Sequence, residues 1–151
     1  MVTGLAMALG ACAAGGGEPP PLAPLAADRE QPVLALIEHV LTGYFARAGA
    51  NGPTACARLS PDALTAAQEK ALIERFVRLA PAARCVSGES GPADAITGEA
   101  AALVQVYDVA CSTPDLCSGW AQAPGAPATR YAMRFEAGTW RFDGDRRIIG
   151  E

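Results

Sequence analysis

The spacing of apolar residues changes halfway along the chain, and this change constrains the fold more than any other sequence feature. Over residues 32–48, apolar side chains recur every three or four positions, which predicts an amphipathic helix that begins at Pro32 and ends before Gly49. Over residues 101–142 they tend to alternate, which is typical of strands. Helices followed by strands predict an α+β domain, with the helices packed on one face of an antiparallel sheet.

A second helix is predicted between Ser60 and Pro81. Ser60 is a favourable N-cap, and Pro61 suits the first helical position. Leu59 and Leu64 then occupy the two positions of a hydrophobic staple. Apolar residues continue at helical spacing until Pro81, where the helix is expected to stop.

The second half of the chain is predicted to contain strands joined by loops. The clearest strand runs from Ala101 to Cys111, and neither of its faces is fully polar, so both should be partly covered. A hairpin is expected with strands at residues 131–135 and 140–142. We expect loops at Ser87–Asp94 and at Trp120–Pro127, where Gly and Pro interrupt the pattern.

Residues 1–11 are small and apolar, like the hydrophobic part of a secretory signal. They lead into Leu9-Gly10-Ala11-Cys12, which resembles the lipobox of bacterial lipoproteins. The resemblance implies that the Cys12 sulfur receives a diacylglycerol and that a signal peptidase cuts just before Cys12. No Lys or Arg precedes Cys12, so the true start of such a signal is expected upstream. The alternative is an apolar tail with a chance cysteine.

Residues 12–27 are rich in Gly and Pro and are expected to form a tether to a single domain over residues 28–151. The several acyl chains of a lipidated cysteine provide stable membrane anchoring. Cys12 is followed by Ala13, not by Asp, and in the Gram-negative lipoproteins that this segment resembles, that implies the outer membrane. The expected location is the cell envelope, at the periplasmic face of the outer membrane, with the membrane as partner through the lipid anchor.

Five cysteines are present, and an odd number in an exported chain needs an explanation. If Cys12 carries lipid, the other four should form two disulfides in an oxidising compartment. Of the three possible pairings we favour Cys56–Cys85 and Cys111–Cys117, because the second pair encloses a short, turn-like insert. A zinc site is disfavoured, since no close-spaced Cys pair occurs and the chain has a single His. We therefore expect no metal.

The domain also resembles the nuclear-transport-factor-2-like cone fold, over about residues 30–148. The residues that carry this resemblance are Tyr44 and Phe45, the segment from Cys56 to Ser60, Cys85, and Gly138-Thr139-Trp140. The resemblance implies a sheet that curves around the helices and often leaves a pocket at its mouth. Some members of that superfamily are enzymes that use Asp, His, Tyr or Arg groups inside the cone. Another α+β sandwich is the alternative fold.

Two candidates for contact with a ligand or partner lie in the strand-rich half. Asp108 lies inside the strongest strand and would act as a general base if its face lined a pocket. Tyr107 points to the opposite side of that strand, so the two side chains are not expected in one cavity. Trp120 follows Cys117 in a predicted loop, where it would either anchor a partner or close the open end of the core.

Three further polar side chains could contact a ligand, and each also has a purely structural explanation. Tyr44 could reach a pocket with its hydroxyl, although a Tyr on an apolar helix face is more often part of the core. Arg130, together with Arg134, could clamp an anion, or both could simply face solvent. The helical phase of His39 places it opposite the apolar face, so it is expected to face water and to take no part in catalysis.

The net charge of −4 argues against nucleic acid as a partner. The sequence carries no nucleophile elbow, phosphate loop, zinc-protease motif or dinucleotide fingerprint, so no cofactor is expected.

The favoured function is a non-enzymatic binding or accessory module for a protein or small molecule that the sequence does not identify. The alternatives are a small-molecule-binding cone with a pocket, or an enzyme that uses Asp108 as its base. They differ in whether the interior is open or is filled by side chains that we expect to lie near the first helix, namely Phe76, Tyr131, Met133, Phe135 and Trp140.

Overall fold

A computed structural model describes residues 20–145. Two α-helices occur in this part of the chain, α1 (Pro32–Ala48) and α2 (Ala66–Ile73). Its strands are, in chain order, β1 (Ala55–Ser60), β2 (Leu79–Ala80), β3 (Cys85–Gly88), β4 (Gly91–Asp94), β5 (Ala102–Thr113), β6 (Leu116–Gln122), β7 (Thr129–Glu136) and β8 (Thr139–Asp145). The lipidation prediction at Cys12 falls outside the described residues.

Six of the strands form one curved sheet in the order β2-β1-β5-β6-β7-β8. Strand β1 runs parallel to both of its neighbours, whereas β5 to β8 form an antiparallel meander. The sheet is therefore mixed, and the prediction of a wholly antiparallel sheet is wrong. The α+β class is confirmed, and the architecture is compatible with a cone-like fold.

The error comes from residues 55–60, which the helix-start signal at Ser60 assigned to the approach of a second helix. All six residues of β1 pair with β5, so long-range pairing overrides the local signal. Helix α2 begins later, after Thr65, whose side chain forms a reciprocal capping box with Gln68. The helix also ends at Ile73, well before Pro81, and Leu79 belongs to β2.

Helix α1 has the bounds that the sequence predicts, and Gly49 follows it with a φ of +67°. Its buried residues include Ile37, Val40, Leu41 and Tyr44, and they share one core cluster with the sheet. The helix contacts β5, β6 and β8, all on the same face of the sheet. The prediction that helix and sheet bury one apolar layer between them is confirmed.

The interior of the domain is filled by side chains of the last hairpin. Met133 and Trp140 are buried, with 1% and 2% of their surface exposed. The partly buried side chains of Phe76, Tyr131 and Phe135 pack against the same cluster. The Trp140 Nε1 donates a hydrogen bond of 3.0 Å to the carbonyl oxygen of Asp28. This bond joins β8 to the segment that precedes α1.

The segment Leu25–Ala27 forms a short 3-10 helix that contacts α1 and β8. It falls in the part of the sequence that was assigned to the tether. Arg75, two residues after the end of α2, donates a 2.7 Å hydrogen bond to the carbonyl oxygen of Ala23 and pairs with Glu38 at 3.3 Å. These contacts fix the chain on the domain before Asp28.

Two predicted loops are partly strands. Residues 87–94, expected as a loop, lie in the hairpin formed by β3 and β4. Residues 120–122, also expected as a loop, belong to β6. In both places Gly or Pro lies within or beside a paired strand, and pairing partners elsewhere in the fold decide the conformation.

Both predicted disulfides are confirmed. Cys56–Cys85 joins β1 to β3, and Cys111–Cys117 joins register partners on β5 and β6. A small second cluster of Cys56, Ala80 and Cys85, with Leu103 against it, lies on the side of the sheet away from α1. The first disulfide thus holds the β3–β4 hairpin against that side. Within residues 20–145, no helix is long and apolar enough to cross a membrane.

Candidate functional site

The sheet face that points away from α1 carries mainly polar side chains, and we call it the outer face. Alternation along the strands sends Val104, Val106, Ala121 and Met133 into the core and their neighbours to the other side. The side chains of the outer face include Arg58, Ser60, Gln105, Tyr107, Ser118, Trp120, Gln122, Arg130, Ala132, Arg134, Arg141 and Asp143.

One row of directly paired residues crosses the outer face from β1 to β8. In this row Ser60 pairs with Tyr107, Tyr107 with Trp120, Trp120 with Arg130, and Arg130 with Asp145. The rings of Tyr107 and Trp120 lie parallel within 5°, with their centroids 6.2 Å apart. An aromatic pair therefore lies in the middle of a polar sheet surface.

The position of Trp120 corrects its assignment to a loop and the expectation that it closes the open end of the core. Trp120 lies within β6, and its neighbours Gly119 and Ala121 face the core while its own ring is half-buried on the outer face. It therefore does not close the end of the core. A Cβ at Gly119 would lie 2.9 Å from a Val109 methyl and 3.1 Å from a Leu36 methyl, so close packing beneath Trp120 requires glycine there.

Asp108 lies at a β-bulge in β5. The register between β5 and β6 shifts between Tyr107 and Ala110, and Asp108 has a φ of +53°. The bulge breaks the alternation of side chains, so Tyr107 and Asp108 line the same cleft. The prediction that these two side chains cannot enter one cavity is wrong for this reason.

This cleft, which we call the Tyr107 cleft, has a volume of about 510 Å³. It is lined by Arg58, Ser60, Gln105, Tyr107, Asp108 and Gln122. Every lining side chain is polar, and none of the six forms a side-chain hydrogen bond or ion pair within the described residues 20–145. Their hydrogen-bonding groups are therefore available to a ligand.

The environment of Asp108 does not support the general-base hypothesis. The side chain is exposed to water, whereas that hypothesis depends on a pocket that desolvates the carboxyl group. No second carboxylate lines the Tyr107 cleft among the residues that the structure describes. The cleft is consequently better suited to holding a ligand than to proton transfer.

The other two candidates lie elsewhere. Arg130 is exposed and lines a neighbouring cleft of about 610 Å³, together with Ser118 and Asp143 among others. Tyr44 lies in the core at 5% exposure, where burial raises the pKa of its hydroxyl and the nearby Arg78 opposes that rise. The structure thus brings Asp108, Trp120 and Arg130 to one face and leaves Tyr44 out.

The side chain of His39 makes ring contacts that its helical phase does not predict. Much of the side chain is exposed, as expected, but its ring stacks on Phe142 with centroids 4.4 Å apart and meets the edge of Tyr131 at 5.4 Å. Partial burial there lowers the pKa of His39. The prediction missed this contact because β8 lies about 100 residues away in sequence.

The sequence pattern also did not predict an ion pair between Arg84, which directly precedes β3, and the buried Asp94 at the end of β4. Arg84 meets Asp94 through two bonds of 2.7 Å, and the Ile96 amide donates a third bond of 3.0 Å to Asp94. The Arg84 guanidinium holds the pKa of Asp94 well below its usual range. Asp94 belongs to a stretch that the sequence assigned to a loop, so nothing in the pattern indicated its burial.

Among residues 20–145, no group of three or more His, Cys, Asp or Glu side chains is arranged to hold a metal ion. Comparison of the chain with protein-family models, with curated proteins and with solved structures finds no match. The function is therefore argued from the outer face itself.

Proposed function

We propose that this chain is a lipid-anchored, extracytoplasmic binding module that is not an enzyme and that binds its partner through the outer face. The observation that carries the proposal is the Tyr107 cleft, where polar side chains without protein partners surround an aromatic ring. Elsewhere on the domain, Arg29, Arg75 and Arg84 pair with carboxylates, whereas Arg134 and Arg141 of the outer face, like Arg58, form no ion pair within residues 20–145. A concave site with convergent polar groups and an aromatic ring is a usual setting for ligand binding.

Two features support the proposed location in the cell envelope. The lipobox-like sequence ending at Cys12 and the Gly/Pro-rich segment after it suit a lipid anchor and tether. The two disulfides fit an oxidising compartment. We place the chain at the periplasmic face of the outer membrane, since Ala13 follows Cys12.

The filled interior favours this function over a cone with an internal pocket. Met133 and Trp140 occupy the space between α1 and the sheet that such a pocket would need. We retain the nuclear-transport-factor-2-like assignment as a proposal, supported by the curved sheet packed on a long N-terminal helix. In this version of the fold, binding would use the outer side of the sheet.

Hydroxyl-radical labelling in isolated envelopes tests the binding surface. The full chain is labelled in membranes of the organism that makes it and, for comparison, as a purified Cys12→Ser protein. We expect Tyr107 and Trp120 to be labelled in the purified protein and protected in the envelope. Val77 and Ile96, which are exposed at 102% and 75%, should be labelled equally in both samples.

Equal labelling of Trp120 in the two samples, with Val77 protected in the envelope, would show that another surface binds. The anchor is tested separately by metabolic labelling with palmitate. The label should appear in the native chain and disappear in the Cys12→Ser variant, which should also leave the membrane fraction.

A further inference from the structure

The charges in the Tyr107 cleft indicate what kind of ligand fits. Arg58 contributes one positive charge and Asp108 one negative charge, and the remaining lining side chains are uncharged. The cleft is therefore electrostatically complementary to a ligand that is polar but carries no net charge. An anionic ligand would be attracted by Arg58 and repelled by Asp108, and a cationic ligand the reverse, so neither gains a net electrostatic advantage.

The hydrogen-bonding groups of the cleft further restrict the chemical class of the ligand. Gln105 and Gln122 are direct cross-strand partners, and each amide both donates and accepts. Arg58, the partner of Gln105 on β1, only donates, while the carboxylate of Asp108 only accepts. Such a mixed set matches hydroxyl groups, which also donate and accept, better than it matches a phosphate or an ammonium group.

The aromatic pair supplies the apolar part of the site. Tyr107 lines the cleft, and its ring is parallel to that of Trp120 beside it. The C–H face of a sugar ring is apolar, while its edge carries hydroxyl groups. A sugar placed on Tyr107 would bury its apolar face and present its hydroxyls to the surrounding polar side chains.

The size and the boundary of the cleft agree with a short sugar chain. Its volume of about 510 Å³ lies within the range of small-ligand sites. Arg58 also lines a smaller cleft of about 210 Å³ under the β3–β4 hairpin, so the hairpin bounds one end of the site. The bulge at Asp108, with its φ of +53°, is the kind of strained feature that re-aims a side chain at a binding site.

From these observations we infer that the Tyr107 cleft binds a neutral sugar unit of an envelope glycan. The inference rests on the proposed binding function and names its ligand class. The sugar is held and not cleaved, because glycoside hydrolysis ordinarily requires two carboxylates about 5–9.5 Å apart and this cleft is lined by one.

Isothermal titration calorimetry on the full-length Cys12→Ser protein tests the inference with defined disaccharides. Chitobiose represents an N-acetylated glycan, cellobiose and maltose represent unmodified ones, and digalacturonate represents an acidic one. We expect saturable binding of at least one neutral disaccharide and weaker binding of digalacturonate. Comparison of chitobiose with cellobiose then distinguishes an N-acetylated source, such as a cell-wall strand, from other glycans.

Substitutions locate the sugar. Gln105→Ala combined with Gln122→Ala should weaken binding roughly tenfold, since two hydrogen-bonding groups are lost. Gln122→Ala alone lies at an exposed position and keeps the test independent of folding. The matched control is Arg134→Ala, on the same outer face but outside this cleft, which should leave the affinity within about twofold.

The inference fails if no neutral disaccharide binds up to its solubility limit, or if digalacturonate binds more tightly than all of them. If Trp120 is nevertheless protected in envelopes, the binding function stands and the ligand is something other than a neutral sugar. If neither sugar binding nor protection is seen, the proposed function fails as well.

Discussion

The indole of Trp120 lies parallel to the phenol ring of Tyr107 on the side of the sheet opposite α1, with ring centroids 6.2 Å apart. The two residues are direct partners across β5 and β6, so the backbone register sets their spacing. The other tryptophan, Trp140, lies in the core. The two indoles therefore have different roles: Trp140 fills the core and Trp120 forms part of a surface.

This difference predicts unequal costs of truncation. Trp140→Ala should lower the free energy of unfolding by about 3–5 kcal/mol, because it leaves a large cavity in the core. Trp120→Ala should lower it by less, because the ring is only half-buried, and about 0.5–1.5 kcal/mol of that loss comes from the aromatic pair itself. Urea unfolding of both variants measures the difference. Equal losses would mean that Trp120 also supports the core.

Replacing Asp108 by glycine should relieve the strain of its left-handed backbone conformation. Asp108→Gly should raise the free energy of unfolding by up to about 1 kcal/mol, whereas Asp108→Ala should be nearly neutral, because it keeps the Cβ that is strained at a φ of +53° and Asp108 has no side-chain hydrogen bond to lose within the part of the chain that the structure describes. Ala137, at a φ of +51° in the β7–β8 turn, is a matched control for the backbone effect, and Ala137→Gly should stabilise similarly.

Both glycine variants are compared by urea unfolding and by sugar titration. Asp108→Gly should weaken binding, since it removes a lining carboxylate, while Ala137→Gly should not. A stability gain at Ala137 but a loss at Asp108 would show that the Asp108 side chain stabilises the bulge, contrary to this prediction.

Elements whose signals lie within the element itself could be predicted from the sequence. Helix α1 has Pro32 at its start and Gly49 after its end, and the last hairpin has an alternating pattern on both sides of the Ala137–Gly138 turn. Such local signals do not depend on the rest of the fold. The disulfide pairing followed from the number and spacing of cysteines once Cys12 was set aside.

Strand β1 and the Tyr107 cleft could not be predicted in the same way. The local signal at Ser60 favoured a helix, and the strand forms because its partner β5 lies more than 40 residues further along the chain. The cleft depends on register across β1, β5 and β6, together with a bulge that reverses the expected direction of Asp108. A periodic pattern contains neither register nor bulge.

The two disulfides should differ in their contribution to stability. Cys56–Cys85 spans 29 residues and Cys111–Cys117 spans 6. The chain-entropy relation gives roughly 3.5 kcal/mol for the first and roughly 2 kcal/mol for the second. Replacing the first pair by Ala should therefore lower Tm more than replacing the second, as measured by calorimetry of the two double variants. The opposite order would contradict the entropic account.

Acid should weaken the domain at the Arg84–Asp94 pair. The pKa of Asp94 is lowered in the folded state, so its contribution is fully present above the unfolded value of 3.8 and is lost as pH falls toward the lower folded value. Asp94→Asn should lower stability at neutral pH and flatten the decline of stability below about pH 4. Urea unfolding across the acid range measures this. An unchanged acid profile would assign the decline to other carboxylates.

The stack of His39 on Phe142 predicts a second pH effect, at higher pH. Burial lowers the pKa of His39 in the folded protein below its unfolded value of 6.5. The stability from this contact is therefore present above about pH 6.5 and is lost as pH falls toward the folded pKa, because the unfolded chain binds the proton more readily. His39→Phe, which keeps an aromatic ring against Phe142, should abolish the fall in stability between pH 7.5 and about pH 5.

Truncation separates the packing of this ring from its charge. His39→Ala should lower the free energy of unfolding at pH 7.5 by about 0.5–1.5 kcal/mol, more than a typical surface substitution, because the contacts with Phe142 and Tyr131 are lost. Thr42→Ala on the exposed side of the same helix is the comparison and should be nearly neutral. If His39→Ala is also neutral while His39→Phe still removes the pH effect, the ring contributes through its charge alone. A pH profile unchanged in His39→Phe would instead show that His39 does not control stability in this range.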